Sequence, residues 1–202
     1  MLSRQSRQII KLLLAFPLFA PHLLAYAISK NKQVINADLA RWIEVYPTPV
    51  STPSTMTQLL HLLLNYREFR NLLHYRLGGV GRLLQMWTRQ EETLFITTAN
   101  IGPGLVIHHG FATIITAKSI GAYCWINQQV TIGFASGKGS PTIGNHVTIS
   151  AGAKVIGGVT VGDHAVIGAN AVVTKDVPSH ATVVGIPARI VRLNGVRVDQ
   201  PL

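Results

Sequence analysis

The chain has 202 residues, of which 48% are apolar, 7% aromatic and 13% charged, and its mean hydropathy is +0.30. A disordered chain needs low hydrophobicity and dense charge, and a disulfide scaffold needs more than Cys124, the single cysteine, so both classes are excluded. The formal charge of +10 is uneven: residues 1–89 carry eleven Lys/Arg against Asp38, Glu44 and Glu68, while residues 90–202 carry seven against five acids. A nucleic-acid protein would show a basic stripe with interleaved aromatics. Here the cations sit in the leucine-rich half, which suits an anionic membrane surface and not a nucleic-acid partner.

Arg4, Arg7 and Lys11 precede Leu12 to Ile28, a run without formal charge. This is the layout of a signal peptide, and Ala25-Tyr26-Ala27 offers a small-x-small cleavage site. Pro17, Pro21 and His22 interrupt the stretch, and no cysteine framework follows. The reading taken is therefore a monotopic element, peripheral at the inner membrane face of a cytoplasmic protein. A helix docked on its own protein is the alternative, ahead of a cleaved signal. A short helix over 36–46 follows, then a linker in which Pro47, Pro49 and Pro53 forbid helix. Residues 56–77 read as one long helix with a leucine-rich face, stopped by Gly78-Gly79. Residues 1–92 are expected as an α-helical N-terminal region.

From Ile101 onward the period is six. Ile143, Ile149, Val155, Val161, Ile167 and Val173 fall six apart, each followed four positions later by Val147, Ala153, Val159, Ala165, Ala171 or Val177. Hexapeptide periodicity is the signature of a parallel β-helix. Each unit is a short strand and a turn, three units close one triangular coil, and coils stack about 4.8 Å apart. Aliphatic residues fill the prism and small ones its corners, so neighbour stacking replaces a large aromatic core. Cys124 falls in the small inward column with Val130 and Val147 and reads as a buried hydrophobe. The β-helix is expected over 93–178, with a C-terminal tail over 179–202.

Two places break the period. Ile107 to Ile120 spans thirteen residues where twelve are expected, and His108-His109-Gly110 sits there. Ile132 to Ile143 spans eleven, and the Gly-rich segment from Phe134 to Thr142 should leave the coil as a loop. Breaks in a regular scaffold are where function is usually lodged.

Gly102-Pro-Gly-Leu-Val-Ile-His-His-Gly110, Ile126-Asn-Gln-Gln-Val-Thr-Ile-Gly133, Ile149-Ser-Ala-Gly-Ala-Lys-Val-Ile-Gly-Gly158 and Val183-Val-Gly-Ile-Pro-Ala-Arg-Ile-Val191 together resemble the serine acetyltransferases, within the hexapeptide-repeat acyltransferase superfamily. They are especially similar to the serine acetyltransferase-like enzymes of polysaccharide biosynthesis, over about residues 93–193. The resemblance implies a mainly β protein, a left-handed parallel β-helix preceded by an α-helical N-terminal region. It also implies acetyl transfer from acetyl-CoA to a hydroxyl, in clefts between neighbouring coils of a homotrimer, with no metal. His109 matches the catalytic histidine, the general base that an alcohol needs at neutral pH, and His108 beside it is the lesser catalytic candidate. Asn127 and Gln128 are candidates for steadying the oxyanion. Gly133, Ala151, Gly152 and Ala169 match positions bordering the pantetheine arm, and Lys154, Lys175 and Arg189 are candidates for the CoA phosphates.

The departures from the family bear on the acceptor. His108 stands where the family has its serine-binding aspartate, Leu94 where it has the acid that orients the histidine, and Gly139-Ser140 where it has an Arg-His pair. An unpaired serine zwitterion is costly to desolvate, so a sugar hydroxyl of a glycan precursor is the acceptor expected, with serine the alternative. His109 would then be oriented by a backbone carbonyl or by Glu91 or Glu92. Two readings of other classes remain. His146 and His164, eighteen residues apart, stack on one edge and could serve a zinc lyase if a neighbouring subunit gave a third ligand. A non-catalytic trimeric scaffold is the other.

Overall fold

A computed structural model describes residues 3–51 and 53–202. The chain forms two compact units, Met1–Glu91 and Glu92–Leu202.

The first unit is helical. Helix α1 (Arg4–Ala27) starts at Ser3, whose hydroxyl accepts from the Ser6 N–H. Leu12, Ala15, Phe19, His22, Leu23 and Tyr26 recur at helical spacing and are buried. Pro17 and Pro21, expected to interrupt the run, lie within α1 on its exposed side, so the missing N–H groups interrupt no packing. Helix α2 (Lys32–Val45) starts four residues earlier than the sequence suggested. The long helix expected over 56–77 is two: α3 (Thr55–Asn65) and α4 (Arg67–Leu77), separated by Tyr66 in an extended conformation. The cause is tertiary. The Tyr66 ring packs 4.2 Å from Tyr46 and 6.3 Å from Trp42, and Asn65 Nδ2 donates to the His61 carbonyl at 2.8 Å. Past Gly78 (φ 59°) a short helix α5 (Gly79–Leu84) follows.

Two buried polar contacts tie these helices together. Arg76 of α4 donates to Asp38 of α2 from Nε at 2.8 Å and from Nη2 at 3.3 Å. His22 of α1 meets His74 of α4 with their Nε2 atoms 3.1 Å apart, and the Thr88 hydroxyl lies 3.2 Å from His22 Nε2. Both rings are shut away from water, and burial is the leading cause that lowers each pKa to about 4.

The second unit is a left-handed parallel β-helix with three walls. The first wall stacks β1 (Leu94–Ile96), β3 (Thr113–Ile115), β6 (Thr131–Gly133), β9 (Lys154–Ile156) and β12 (Val172–Val173). The second stacks β4 (Ser119–Ile120), β7 (Thr142–Ile143) and β10 (Thr160–Val161). The third stacks β2 (Val106–His108), β5 (Trp125–Asn127), β8 (Thr148–Ile149), β11 (Val166–Ile167) and β13 (Ala181–Val184). The antiparallel strands β14 (Arg189–Leu193) and β15 (Val196–Pro201) then extend the third wall, so residues 179–202 complete the sheet. Thr148 pairs with Val166, setting a regular coil of eighteen residues, whereas Trp125 pairs with Thr148 across twenty-three. The difference is the loop from Phe134 to Pro141, which leaves the prism and closes on itself through an Ala135–Gly139 bridge. The inward column of Ile107, Ile126, Ile132, Ile149, Val155, Ile167 and Val173 is at most 1% exposed.

Candidate active site

His109 sits where the coil carries one residue too many. Three residues separate β5 from β6, but four, His109 to Ala112, separate β2 from β3 at the same corner one coil earlier. The extra residue is accommodated by left-handed backbone at His109 (φ 62°) and Ala112 (φ 51°). The Phe111 N–H donates to the His109 carbonyl, and the imidazole is exposed. His108 ends β2 half-buried, its ring centroid 3.9 Å from that of His109 and 5.4 Å from that of Trp125. Among the described residues the His109 ring has no hydrogen-bond partner. Its lone pair and N–H are free for an incoming group.

The corner between the third and first walls runs on from His109 through most of the other sequence candidates. Gln128, Gly152 and Asn170 follow one coil apart, joined by the Gly152 N–H to the Gln128 carbonyl at 3.0 Å and the Asn170 N–H to the Ala151 carbonyl at 2.9 Å. Ala151 and Ala169 therefore lie on the same edge. Gly152 has φ 75°, a left-handed conformation that favours glycine, and a Cβ there would displace the Asn170 side chain, whose Oδ1 would lie 2.0 Å away. Gly133 differs. It closes β6 at the far corner of the first wall, buried, where a Cβ would meet only Ile156 and Thr131 side chains at 3.7 Å. Packing does not require glycine there.

Of the cations, Lys154 opens β9 on this wall, Lys175 follows β12 at its end, and Arg189 opens β14. Lys154 Nζ donates to the Gln129 carbonyl at 2.5 Å, which leaves two of its N–H groups for a ligand. Lys175 and Arg189 line one cavity of about 650 Å³, together with Thr174, Gly185, Ile186 and Pro187. Lys175 Nζ donates to the Leu202 carbonyl at 2.7 Å, and Arg189 pairs with Asp199 at 2.6 Å. Sequence reasoning missed Thr174 and Ile186 as lining residues, although the Pro187-Ala188-Arg189 motif pointed at the spot.

The acceptor end has an unusual composition. Leu94 is buried in β1, an aliphatic residue of the prism, and Gly139-Ser140 lies in the loop that leaves the coil. Asn127 pairs in register with His108, but its amide is engaged at both ends, accepting from Trp125 Nε1 at 3.2 Å and donating to the Ile149 carbonyl at 3.2 Å. Three of the four carboxylates of this unit are committed elsewhere: Asp163 to Asn145, Asp176 to the Thr160 N–H and Asp199 to Arg189. Hydrogen bonds from the Asn145 backbone and side chain hold the Asp163 carboxyl below the usual range.

Two further candidates resolve differently. Cys124 is 2% exposed, its thiol donates to the Gly144 carbonyl at 3.1 Å, and burial pushes its pKa up to about 11. It fills space. His146 and His164 stack on the opposite corner, centroids 4.7 Å apart and planes within 2°, inside a ladder that runs from Tyr123 to His180. Rings in that posture present faces to each other, not lone pairs. No group of three or more His, Cys, Asp or Glu among the described residues is placed to hold a metal ion.

The sequence profile of the family "Bacterial transferase hexapeptide (six repeats)" matches residues 140–175. The serine acetyltransferase of Staphylococcus aureus (strain Mu50) is 47% identical over 173 residues, 81% of this chain and 80% of the relative. That of Synechococcus elongatus is 43% identical over 142 residues, and the match spans 58% of its length. Among solved structures, Neisseria gonorrhoeae serine acetyltransferase in complex with serine superposes with TM-score 0.63 at 28% identity, covering 86% of this chain and 74% of that one. A serine acetyltransferase in complex with CoA gives 0.64 at 27%, covering 83% and 72%. With a relative this similar over four-fifths of its length, the chain belongs to the serine acetyltransferase family and is a hexapeptide-repeat acyltransferase.

Proposed function

We propose that this protein transfers the acetyl group of acetyl-CoA to a hydroxyl, and that serine is its acceptor. The observation that carries the transfer chemistry is the one-residue bulge that holds His109 outside the prism, at the head of the corner lined by Gln128, Ala151-Gly152 and Ala169. The corner descends four rungs from β2 to β13, about 19 Å at about 4.8 Å per rung, and ends at the cavity holding Lys175 and Arg189. An extended pantetheine arm laid along it puts its thioester at His109 and its phosphates at the cations. The imidazole takes the hydroxyl proton as the oxygen attacks the thioester carbonyl. The tetrahedral intermediate expels the CoA thiolate, which receives that proton back from the imidazolium.

Serine as acceptor is supported by the relatives, which are serine acetyltransferases, one of them crystallised with serine. A second reading, a neutral sugar hydroxyl, is favoured by one observation. His108 lies against His109 and itself packs on Trp125, and three of the unit's four carboxylates are bound elsewhere, so the serine ammonium finds few counter-charges in the chain itself. A homotrimer belongs to either reading, because His109 is open to solvent and a neighbouring coil would wall it in.

The experiment follows thiol release from acetyl-CoA with serine and, separately, with a panel of neutral sugars. Saturable turnover with serine alone supports the first reading. Turnover with a sugar and none with serine transfers the assignment to the second. Release with neither, from a folded trimer, overturns the acetyl-transfer reading.

A further inference from the structure

We propose that the uncovered face of α1 lies in the headgroup region of an anionic membrane surface. This inference is independent of the acceptor. Helix α1 packs one side inward through Leu12, Phe19, His22 and Tyr26. A helix at an ordinary protein surface turns a polar face to water. Between Leu12 and Ile28, every exposed residue of α1 and its cap is instead apolar. Leu14 is 76% exposed, Leu24 65% and Ile28 74%. A second apolar group adjoins this strip. Trp87 Nε1 donates to the Leu18 carbonyl at 2.9 Å, and Trp87, Met86 and Leu83 are 61%, 86% and 70% exposed. An indole with an apolar body and a bonded N–H suits the membrane–water boundary.

The charges select the occupant. Arg7 and Lys11 stand at one end of the strip and Lys30 and Lys32 at the other, all exposed, and α1 contains no acid. Eleven Lys/Arg in residues 1–91 face only Asp38, Glu44, Glu68 and Glu91, and Asp38 and Glu44 are already paired with Arg76 and Arg41. A second copy laid on the same strip would bring cations against cations, whereas anionic headgroups complement both ends. An apolar groove of about 320 Å³ between Phe16 and Met56 gives an acyl chain a place beside the helix. Spanning is disfavoured. Pro17 and Pro21 remove two backbone donors on the exposed side, leaving carbonyls that need water, and one side of the helix is occupied by its own protein. An in-plane helix meets both conditions.

The test is co-sedimentation of the full chain with vesicles of phosphatidylcholine alone and of phosphatidylcholine mixed with phosphatidylglycerol. Binding to the mixed vesicles should exceed binding to the neutral ones about tenfold or more, and should weaken in high salt. Trp fluorescence should shift to the blue on binding, a shift that Trp87→Phe removes. The double variant Leu14→Glu, Leu24→Glu should lose vesicle binding while keeping its circular dichroism and its thiol release in solution. Arg7→Gln with Lys11→Gln should lower binding to the anionic vesicles alone. Three outcomes overturn the proposal: wild-type protein that stays in the supernatant, a double-Glu variant that binds as well as wild type, or an assembly that shrinks in that variant without any vesicle binding. The last would assign the face to a second copy.

Discussion

At the scale of single residues, His109 and Cys124 make opposite predictions from the same coil. The His109 ring hangs outside the prism without a hydrogen-bond partner among the described residues, while the Cys124 thiol is enclosed. If His109 is the base, as proposed, His109→Gln should lower kcat about 10²–10⁴-fold with little change in the KM for acetyl-CoA, because proton abstraction is lost and cofactor binding is not. Cys124 should ignore a thiol-specific reagent in the native protein at neutral pH and react only on unfolding, since burial holds the thiol at about 11. Lys175→Gln combined with Arg189→Gln should show the reverse of His109→Gln. Removing two cations from one cavity should raise the KM for acetyl-CoA about tenfold or more at nearly constant kcat. Steady-state kinetics on both variants separates the roles.

At the scale of elements, the β unit was legible in the sequence and the helical unit only in part, and the reason is the range of the forces. Each rung of the solenoid obeys a local rule, an inward aliphatic every six residues, so period and breaks could be read directly, including the extra residue that lifts His109 out. The split of α3 from α4 follows from a stack of Tyr66 on Tyr46 and Trp42, contacts that no local pattern announces. The partners of Lys154, Lys175 and Arg189 were hidden for the same reason. The His22–His74 contact was hidden too, and it gives the helices a pH dependence. Both rings bind protons in the unfolded chain near pH 6.5 but in the folded one only near 4. Between those values the unfolded state holds more protons, so stability is full above pH 6.5 and falls as the pH drops towards 4. One ring carries on the order of 3 kcal/mol across that window. Urea melts at pH 7 and pH 5 should show the loss, and a His74→Gln variant should flatten the profile. The Asp38–Arg76 pair behaves differently. Cutting it with Asp38→Ala strands a buried guanidinium and should cost about 3–5 kcal/mol at neutral pH.

At the scale of the whole molecule, what the sequence left open is what a single chain leaves open. The prism is complete by itself, while His109 stands exposed at its corner. Phe95 and Ile114 are register partners on adjacent strands of the first wall, both pointing outward, 55% and 42% exposed. They flank the corner that carries His109, and Phe111 on that corner is 44% exposed. Single exposed apolar residues are ordinary, but a cluster beside the proposed base is the kind of patch that a partner covers. Closure by rotation makes a ring of identical seams, each bringing one copy's wall against the next copy's corner. If three copies close in this way, sedimentation equilibrium should give three times the 21.9 kDa chain mass. Phe95→Lys with Ile114→Lys should then yield single chains with unchanged circular dichroism, since both side chains lie outside the prism. Those chains should release almost no thiol from acetyl-CoA, because without the neighbouring coil neither the thioester nor the acceptor hydroxyl would be held against His109. Monomeric wild-type protein with full activity would sink the shared site and leave His109 to act on one coil alone.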